Sequence, residues 1–231
     1  MALSPAPIAS ETAQIEDLLV GTLETPLRPG ADFLGKYRIE RVLGRGGMGI
    51  VVAARHIELD ELFAIKFLTA GDSLTAPSRF IREARAAARL TSEHAARVFD
   101  VGRLSNGTLY LVMEYLAGGT LAQVLQSRGR LPLTEAARLL LDACDALAEA
   151  HALGIVHRDL KLANLFLTQR HGGRQCLKVI DFGISKQENA SEPLTTPGTI
   201  MGSPGWMSPE QIRDPQSVDA RSDIWSMGVA L

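Results

Sequence analysis

The spacing of apolar and polar positions changes several times along the chain, and each change marks an element. Residues 37–43 (YRIERVL) alternate loosely, 50–54 (IVVAA) are a short β-branched run, and 62–68 (LFAIKFL) are apolar except for Lys66, so all three read as strands. Residues 77–90 are alanine-rich and predict a helix, with Ser73 or Thr75 available as caps. Residues 97–103 and 108–115 predict two more strands, joined through Ser105-Asn106-Gly107, where Asn-Gly favours a hairpin turn. Gly118-Gly119 then loosens the chain and marks a boundary between lobes. A short helix over 120–128 precedes a long one over 134–153, in which Ala136, Leu140, Ala143, Leu147 and His151 recur at helical spacing, Thr134 can cap and Gly154 can terminate. That face is core, with His151 packed or at its rim. Residues 176–180 (CLKVI) predict a buried strand.

Composition narrows the classes. A chain of 231 residues with 46% hydrophobic content can build one sizeable domain or two lobes. A net charge of -2 offers no basic excess for nucleic acid or an anionic membrane. No apolar run approaches the ~20 residues of a membrane span, and the N-terminus lacks the basic and apolar regions of a secretory signal. Cys144 and Cys176 have neither metal nor redox spacing, which fits a reduced, cytoplasmic setting. Residues 1–32, rich in Ala, Pro, Ser and Thr, read as a disordered or flexible extension before an ordered region over 33–231.

Four stretches carry candidate chemistry. The first is IVHRDLKLANLF, Ile155 to Phe166, which places a histidine, an arginine, an aspartate, a lysine and an asparagine within eight residues between apolar flanks. Its spacing suits a carboxylate that takes a hydroxyl proton, a cation beside it and an amide that can hold a metal; a polar loop between two buried elements would look similar. The second is Gly44-Arg45-Gly46-Gly47-Met48-Gly49 between two strands, where bare glycines let backbone amides approach an anion. Dinucleotide-binding folds share that spacing, but there the loop leads into a helix, whereas β-branched residues follow Gly49. The third is Lys66, costly to bury unpaired, or else snorkelling at an edge. The fourth is Asp181-Phe182-Gly183, a carboxylate leaving a buried strand and suited to Mg²⁺, or else a simple turn.

His157-Arg158-Asp159-Leu160, three residues and then Asn164 resemble the catalytic loop of protein kinases. The other stretches follow in kinase order. Phe63-Ala64-Ile65-Lys66 is similar to Val-Ala-Ile-Lys, Glu83 stands where the family has its helix glutamate, and residues 108–115 resemble the strand entering the hinge. Asp181-Phe182-Gly183, Ser208-Pro209-Glu210 (for Ala-Pro-Glu) and Ser222 to Gly228 complete the series. Over residues 36–231 the chain resembles the eukaryotic-like (Hanks-type) serine/threonine protein kinases of bacteria. The resemblance implies an α+β, two-lobed fold. Its N-lobe, residues 33–116, is a five-stranded antiparallel sheet plus one helix, its C-lobe, 117–231, is mainly helical and incomplete, and ATP lies in the cleft.

The same resemblance implies transfer of the ATP γ-phosphoryl to Ser/Thr hydroxyls of proteins, including autophosphorylation, with Mg²⁺ or Mn²⁺. Asp159 would accept or orient the substrate hydroxyl and Lys161 would neutralise the γ-phosphoryl. Asn164 and Asp181 would hold the metal ions. Lys66, paired with Glu83, would hold the α- and β-phosphates beneath the cover of Leu43, Gly44, Arg45, Gly46, Gly47, Met48, Gly49 and Ile50. Val51, Ala64 and Phe166 would sandwich the adenine, Met113 would be the gatekeeper, and the backbone from Glu114 to Leu116 would meet the base. Residues 184–207 would be an activation segment in which phosphorylated Thr195, Thr196 or Thr199 pairs with Arg158. Partners are then ATP and protein substrates, with no nucleic acid and no membrane segment in this chain, and the resemblance allows a dimer that serves autophosphorylation.

The chain departs from the pattern in places. Leu162 and Ala163 replace the usual proline and glutamate of the loop, and Ser203 and Trp206 replace threonine and tyrosine. Ala87 stands where a larger apolar residue is usual, predicting a loosely packed helix. The chain stops at Leu231, inside the central helix, so Glu210 is expected to lack its arginine partner and the lobe to expose an apolar face. An ATP-binding but inactive truncated kinase, or a pseudokinase-like regulatory partner, is the alternative. A small-molecule phosphotransferase is disfavoured by the segment ending in Pro-Glu.

Overall fold

The computed structural model describes residues 28–46, 49–68, 76–169, 172–182, 204–214 and 218–231, and the side chains of 76, 77 and 79 are not among those described. The described residues fall into two compact units: 28–68 with 100–115, and 76–99 with the remainder from 116 onward.

The first unit is built on a six-stranded sheet in the order β1-β2-β3-β4-β6-β5, where β1 is Asp32–Phe33, β2 Tyr37–Gly46, β3 Gly49–His56, β4 Leu62–Phe67, β5 Val98–Arg103 and β6 Leu109–Glu114. The pairings β1–β2, β2–β3, β3–β4 and β4–β6 are antiparallel. Asn106-Gly107 turns β5 into β6 as expected. Gly107 has φ +90°, its N–H donates to Leu104 at 2.9 Å, and Asn106 Oδ1 accepts the Thr108 N–H at 3.0 Å. Alternation along β4 sends Phe63, Ile65 and Phe67 to one face, where they pack with Phe33, Tyr37, Ile39, Ile50, Val52, Tyr110 and Val112.

The sixth strand, β1, corrects the expected count of five. Two residues are too few to show a period, but the Phe33 ring meets Phe67 at 5.0 Å and Tyr110 at 5.2 Å, both edge to face. This aromatic contact holds Asp32–Phe33 in register with Arg38 and Tyr37. Asp32, the last residue of the expected flexible extension, is therefore a strand residue; residues 1–27 lie outside the described residues.

The second unit contains α1 Ala76–Ala87, α2 Leu121–Arg128, α3 Leu133–Ala152, α4 Pro209–Arg213 and α5 Ala220–Ala230. Helix α1, expected with the first sheet, groups here, and it buries Phe80, Ala84 and Ala87. Helix α2 starts at Thr120, whose hydroxyl accepts the Gln123 N–H while the Gln123 side chain accepts the Thr120 N–H. Helix α3 buries Leu139, Ala143, Ala146, Leu147 and Ala150. Its N-cap is Pro132 without a side-chain cap, so Thr134 does not cap; Gly154, φ +75°, ends it.

A second small sheet was not foreseen for this mainly helical half. Strands β7 Gly118–Thr120, β8 Leu165–Gln169 and β9 Gln175–Val179 pair antiparallel in that order. Gly118, read from sequence as a loosening point, is a strand residue at φ +146°, where a Cβ would run into the Leu167 carbonyl. A close backbone approach explains that glycine.

Candidate active site

The loop from His157 to Asn164 follows α3 and enters β8 through a 3₁₀ turn at Leu162–Asn164. Within it, Lys161 Nζ lies 3.0 Å from Asp159 Oδ2, and Asn164 Nδ2 donates to the Asp159 carbonyl at 2.8 Å and faces its Oδ2 at 3.5 Å. The Asp159 side chain is 14% exposed, so the carboxylate is held without being sealed. His157 is fully buried and works as a strut: Nε2 meets the Ile180 carbonyl at 3.0 Å, Nδ1 receives the Asp159 N–H at 3.3 Å, and the ring packs on Phe182 at 5.3 Å.

The sheet register brings the two expected metal ligands to neighbouring strand ends. Leu165 pairs with Val179, and the Ile180 N–H donates to the Asn164 carbonyl at 3.0 Å, so Asn164 and Asp181 leave β8 and β9 side by side. Asp181 has φ +61°, a left-handed conformation that a non-glycine residue adopts at a cost. Because Asn164 donates through Nδ2, a cation at this site would meet its amide oxygen. Among the described residues no three His, Cys, Asp or Glu side chains converge into a cage. Asn164 and Asp181 would each offer oxygen to a cation, which fits Mg²⁺ bound through one or two carboxylates plus phosphate and water.

A residue that the sequence reading did not single out holds this loop. Asp223, in the first turn of α5 and 1% exposed, accepts the N–H of His157 at 2.8 Å and of Arg158 at 2.9 Å, and its Oδ2 also meets His151 Nε2 at 2.8 Å. The available signal was an acid placed directly before the weakly polar run Ile224-Trp225-Ser226-Met227. Arg158 itself lies at φ +63°. Arg158, Glu83 and Arg82 line one cleft of about 310 Å³ with Phe182.

Glu210, expected to lack an arginine partner, has a hydroxyl partner. The Ser222 hydroxyl donates to it at 2.7 Å, and the Ser208 hydroxyl donates to Ser222 at 3.0 Å. The Ser222 hydrogen bond is the main reason its carboxyl is held below the ordinary glutamate range. On α5, Ile224, Trp225 and Val229 are exposed.

In the first unit, register gathers the expected nucleotide-facing residues. Lys66 pairs with Val51 and Leu111, and Ala64 with Ala53 and Met113, so these side chains share the face opposite the aromatic core. Lys66 is 7% exposed and therefore does not snorkel at an edge. Ile50 is the exception: it pairs with Phe67 and packs into the core, so its side chain does not face the nucleotide side with Lys66. Leu43, Arg45 and Gly46 are exposed, while Gly47 and Met48 lie outside the described residues. In the second unit Phe166 is half-buried in β8 opposite Thr120, and Leu116 is half-buried ahead of β7. Thr195, Thr196 and Thr199 also lie outside the described residues.

The protein kinase domain family matches residues 37–231. The chain belongs to the protein kinase family. This kinase domain is 38% identical over 216 residues to the serine/threonine-protein kinase pkn3 of Myxococcus xanthus, covering 91% of this chain and 39% of that protein. It is 40% identical over 202 residues to the serine/threonine-protein kinase PknB of Mycobacterium leprae, covering 85% of this chain and 32% of that protein. The chain thus spans well under half the length of these curated relatives. Among solved structures, the PknI kinase domain of Mycobacterium tuberculosis superposes with a TM-score of 0.70 at 30% identity, over 88% of this chain and 75% of that one. Among the described residues of the kinase domain, no helix is long and apolar enough to cross a membrane.

Proposed function

We propose that the chain transfers the γ-phosphoryl group of ATP to serine or threonine hydroxyls of proteins. The observation that carries this reading is the cluster at Asp159: one carboxylate with a lysine ammonium at 3.0 Å and an asparagine amide on its own carbonyl. In the second unit, Asp159 receives or orients the substrate hydroxyl proton and Lys161 offsets charge on the transferring group. Asn164 and Asp181 hold Mg²⁺, which when bound neutralises the phosphate oxygens. Arg158, with Arg82 across their shared cleft, receives a phosphorylated Thr195, Thr196 or Thr199.

In the first unit, Lys66 holds the α- and β-phosphates, and Val51, Ala64 and Met113 on the same face meet the adenine. An added Cβ at Gly44 or Gly46 would meet nothing within 4 Å, so packing gives no reason for glycine there. Close approach of phosphate to the backbone is such a reason. Cys144 and Cys176 are both free thiols, in keeping with a cytoplasmic setting.

The test is transfer of ³²P from [γ-³²P]ATP to a generic basic protein, with Asp159→Asn as control. Labelling that depends on Mg²⁺ and falls on the order of 10²-fold or more in Asp159→Asn is expected. ATP binding without transfer would instead identify a regulatory, pseudokinase-like chain and overturn the proposal.

A further inference from the structure

Gln211 makes two different hydrogen bonds with its two amide atoms. Its Oε1 accepts the Ser208 N–H at 3.1 Å, closing the capping box of α4 together with the Gln211 N–H on Ser208 Oγ. Its Nε2 donates to the backbone carbonyl of Arg158 at 2.9 Å, fifty-three residues earlier in the chain. The first bond is ordinary helix capping, and glutamate performs it as well as glutamine. The second bond reaches the loop that carries Asp159 and needs a side-chain N–H, which glutamine has and an ionised glutamate lacks.

The carbonyl it holds belongs to the peptide joining Arg158 to Asp159. That peptide follows a non-glycine residue at φ +63°, a conformation that persists only where the surroundings impose it. On the other side of the same residue, the Arg158 N–H is held by Asp223 Oδ1 at 2.9 Å. The N–H of the Asp159 peptide itself donates to His157 Nδ1 at 3.3 Å. Rotation of this peptide swings the Asp159 side chain, and Gln211 opposes that rotation.

We propose that Gln211 is a positioning residue for phosphoryl transfer, holding the Arg158 carbonyl and through it the direction of the Asp159 carboxylate. The proposal rests on the kinase reading above for its kinetic part. It couples α4, which follows the segment bearing Thr195 to Thr199, to the catalytic loop through one side-chain hydrogen bond.

Gln211→Glu separates the two bonds, because it keeps the capping acceptor and sets a carboxylate oxygen against the Arg158 carbonyl. Three quantities are measured on the full chain: kcat and KM for ATP in transfer to a basic protein, Tm, and amide hydrogen exchange over residues 157–161. The expected result is a kcat lower by on the order of 10–100-fold and KM for ATP within about two-fold, with Tm lower by a few degrees at most and faster exchange in the loop. Wild-type kcat in Gln211→Glu overturns the proposal, and so does a fall in kcat with unchanged exchange over 157–161. Were wild type itself to transfer nothing, the kinase reading would fail on its own. Exchange would then decide alone: unchanged protection over 157–161 overturns the positioning role, and faster exchange confined to those residues supports it.

Discussion

Asp223 accepts the backbone N–H of Arg158 through Oδ1 at 2.9 Å and that of His157 through Oδ2 at 2.8 Å. One carboxylate on the last helix thus holds two consecutive peptides just ahead of Asp159. Asp223→Ala leaves both buried donors without a partner, at about 1–3 kcal/mol each. Urea denaturation is expected to show a loss of that order, with transfer activity lost alongside it. Asp223→Asn, which presents one acceptor where two are used, is expected to fall between wild type and alanine. Equal stability of all three proteins would refute this role.

The glycines of the first hairpin divide into two kinds. Gly49 sits at φ +138°, and a Cβ there would run into the Phe67 carbonyl, whereas Gly44 and Gly46 have open space. Gly49→Ala is therefore expected to cost about 1–3 kcal/mol of stability through backbone strain. Gly44→Ala and Gly46→Ala are expected to leave Tm level or slightly higher while raising KM for ATP. Thermal melts and ATP titrations of the three variants check the division.

Phe33 is the anchor of the first strand, 1% exposed among Phe67 and Tyr110. Phe33→Ala is expected to cost about 3–5 kcal/mol, as other buried Phe truncations do. A chemical melt showing less than about 1 kcal/mol would mean that β1 is dispensable to the sheet.

Glu149 on α3 accepts the Thr91 N–H at 2.9 Å, the Thr91 hydroxyl at 2.7 Å and the Ser92 N–H at 2.8 Å. These bonds, the Thr91 backbone bond foremost, hold its carboxyl below the ordinary glutamate range. With the folded value depressed, the unfolded chain binds more protons on the acid side. The contribution is complete above the ordinary glutamate range and is lost as pH falls from there through the depressed value. Glu210 and Asp219 shift in the same direction, so stability declines on acidification for all three. Glu149→Gln is expected to flatten that decline without abolishing it, as read from Tm measured between neutral and acid pH.

Much of the site was legible because its chemistry is local in sequence. Asp159, Lys161 and Asn164 sit within six positions, and their mutual contacts need only the loop and its 3₁₀ turn. The strands carrying Val51, Ala64, Lys66 and Met113 were legible from period, and pairing placed those side chains on one face. Ile50 escaped because lying next to Val51 in sequence means facing the other way in a strand. Asp223 and Gln211 escaped because their roles are set by contacts to the loop across 66 and 53 positions, which no local pattern encodes.

The sequence by itself determined which residues carry the candidate chemistry, since residue type and short spacing are written in the chain. It also determined most strands and helices, whose buried faces show as periods of two or near four. Only the tertiary structure decided which distant side chains hold the loop from His157 to Asn164. The left-handed Arg158 is secured by Asp223 and Gln211 from elements that follow much later, and Glu210 finds its partner in Ser222. Hydrogen bonds to backbone groups explain the difference: they ask for a donor or acceptor at the right place in space, and many sequences can supply one.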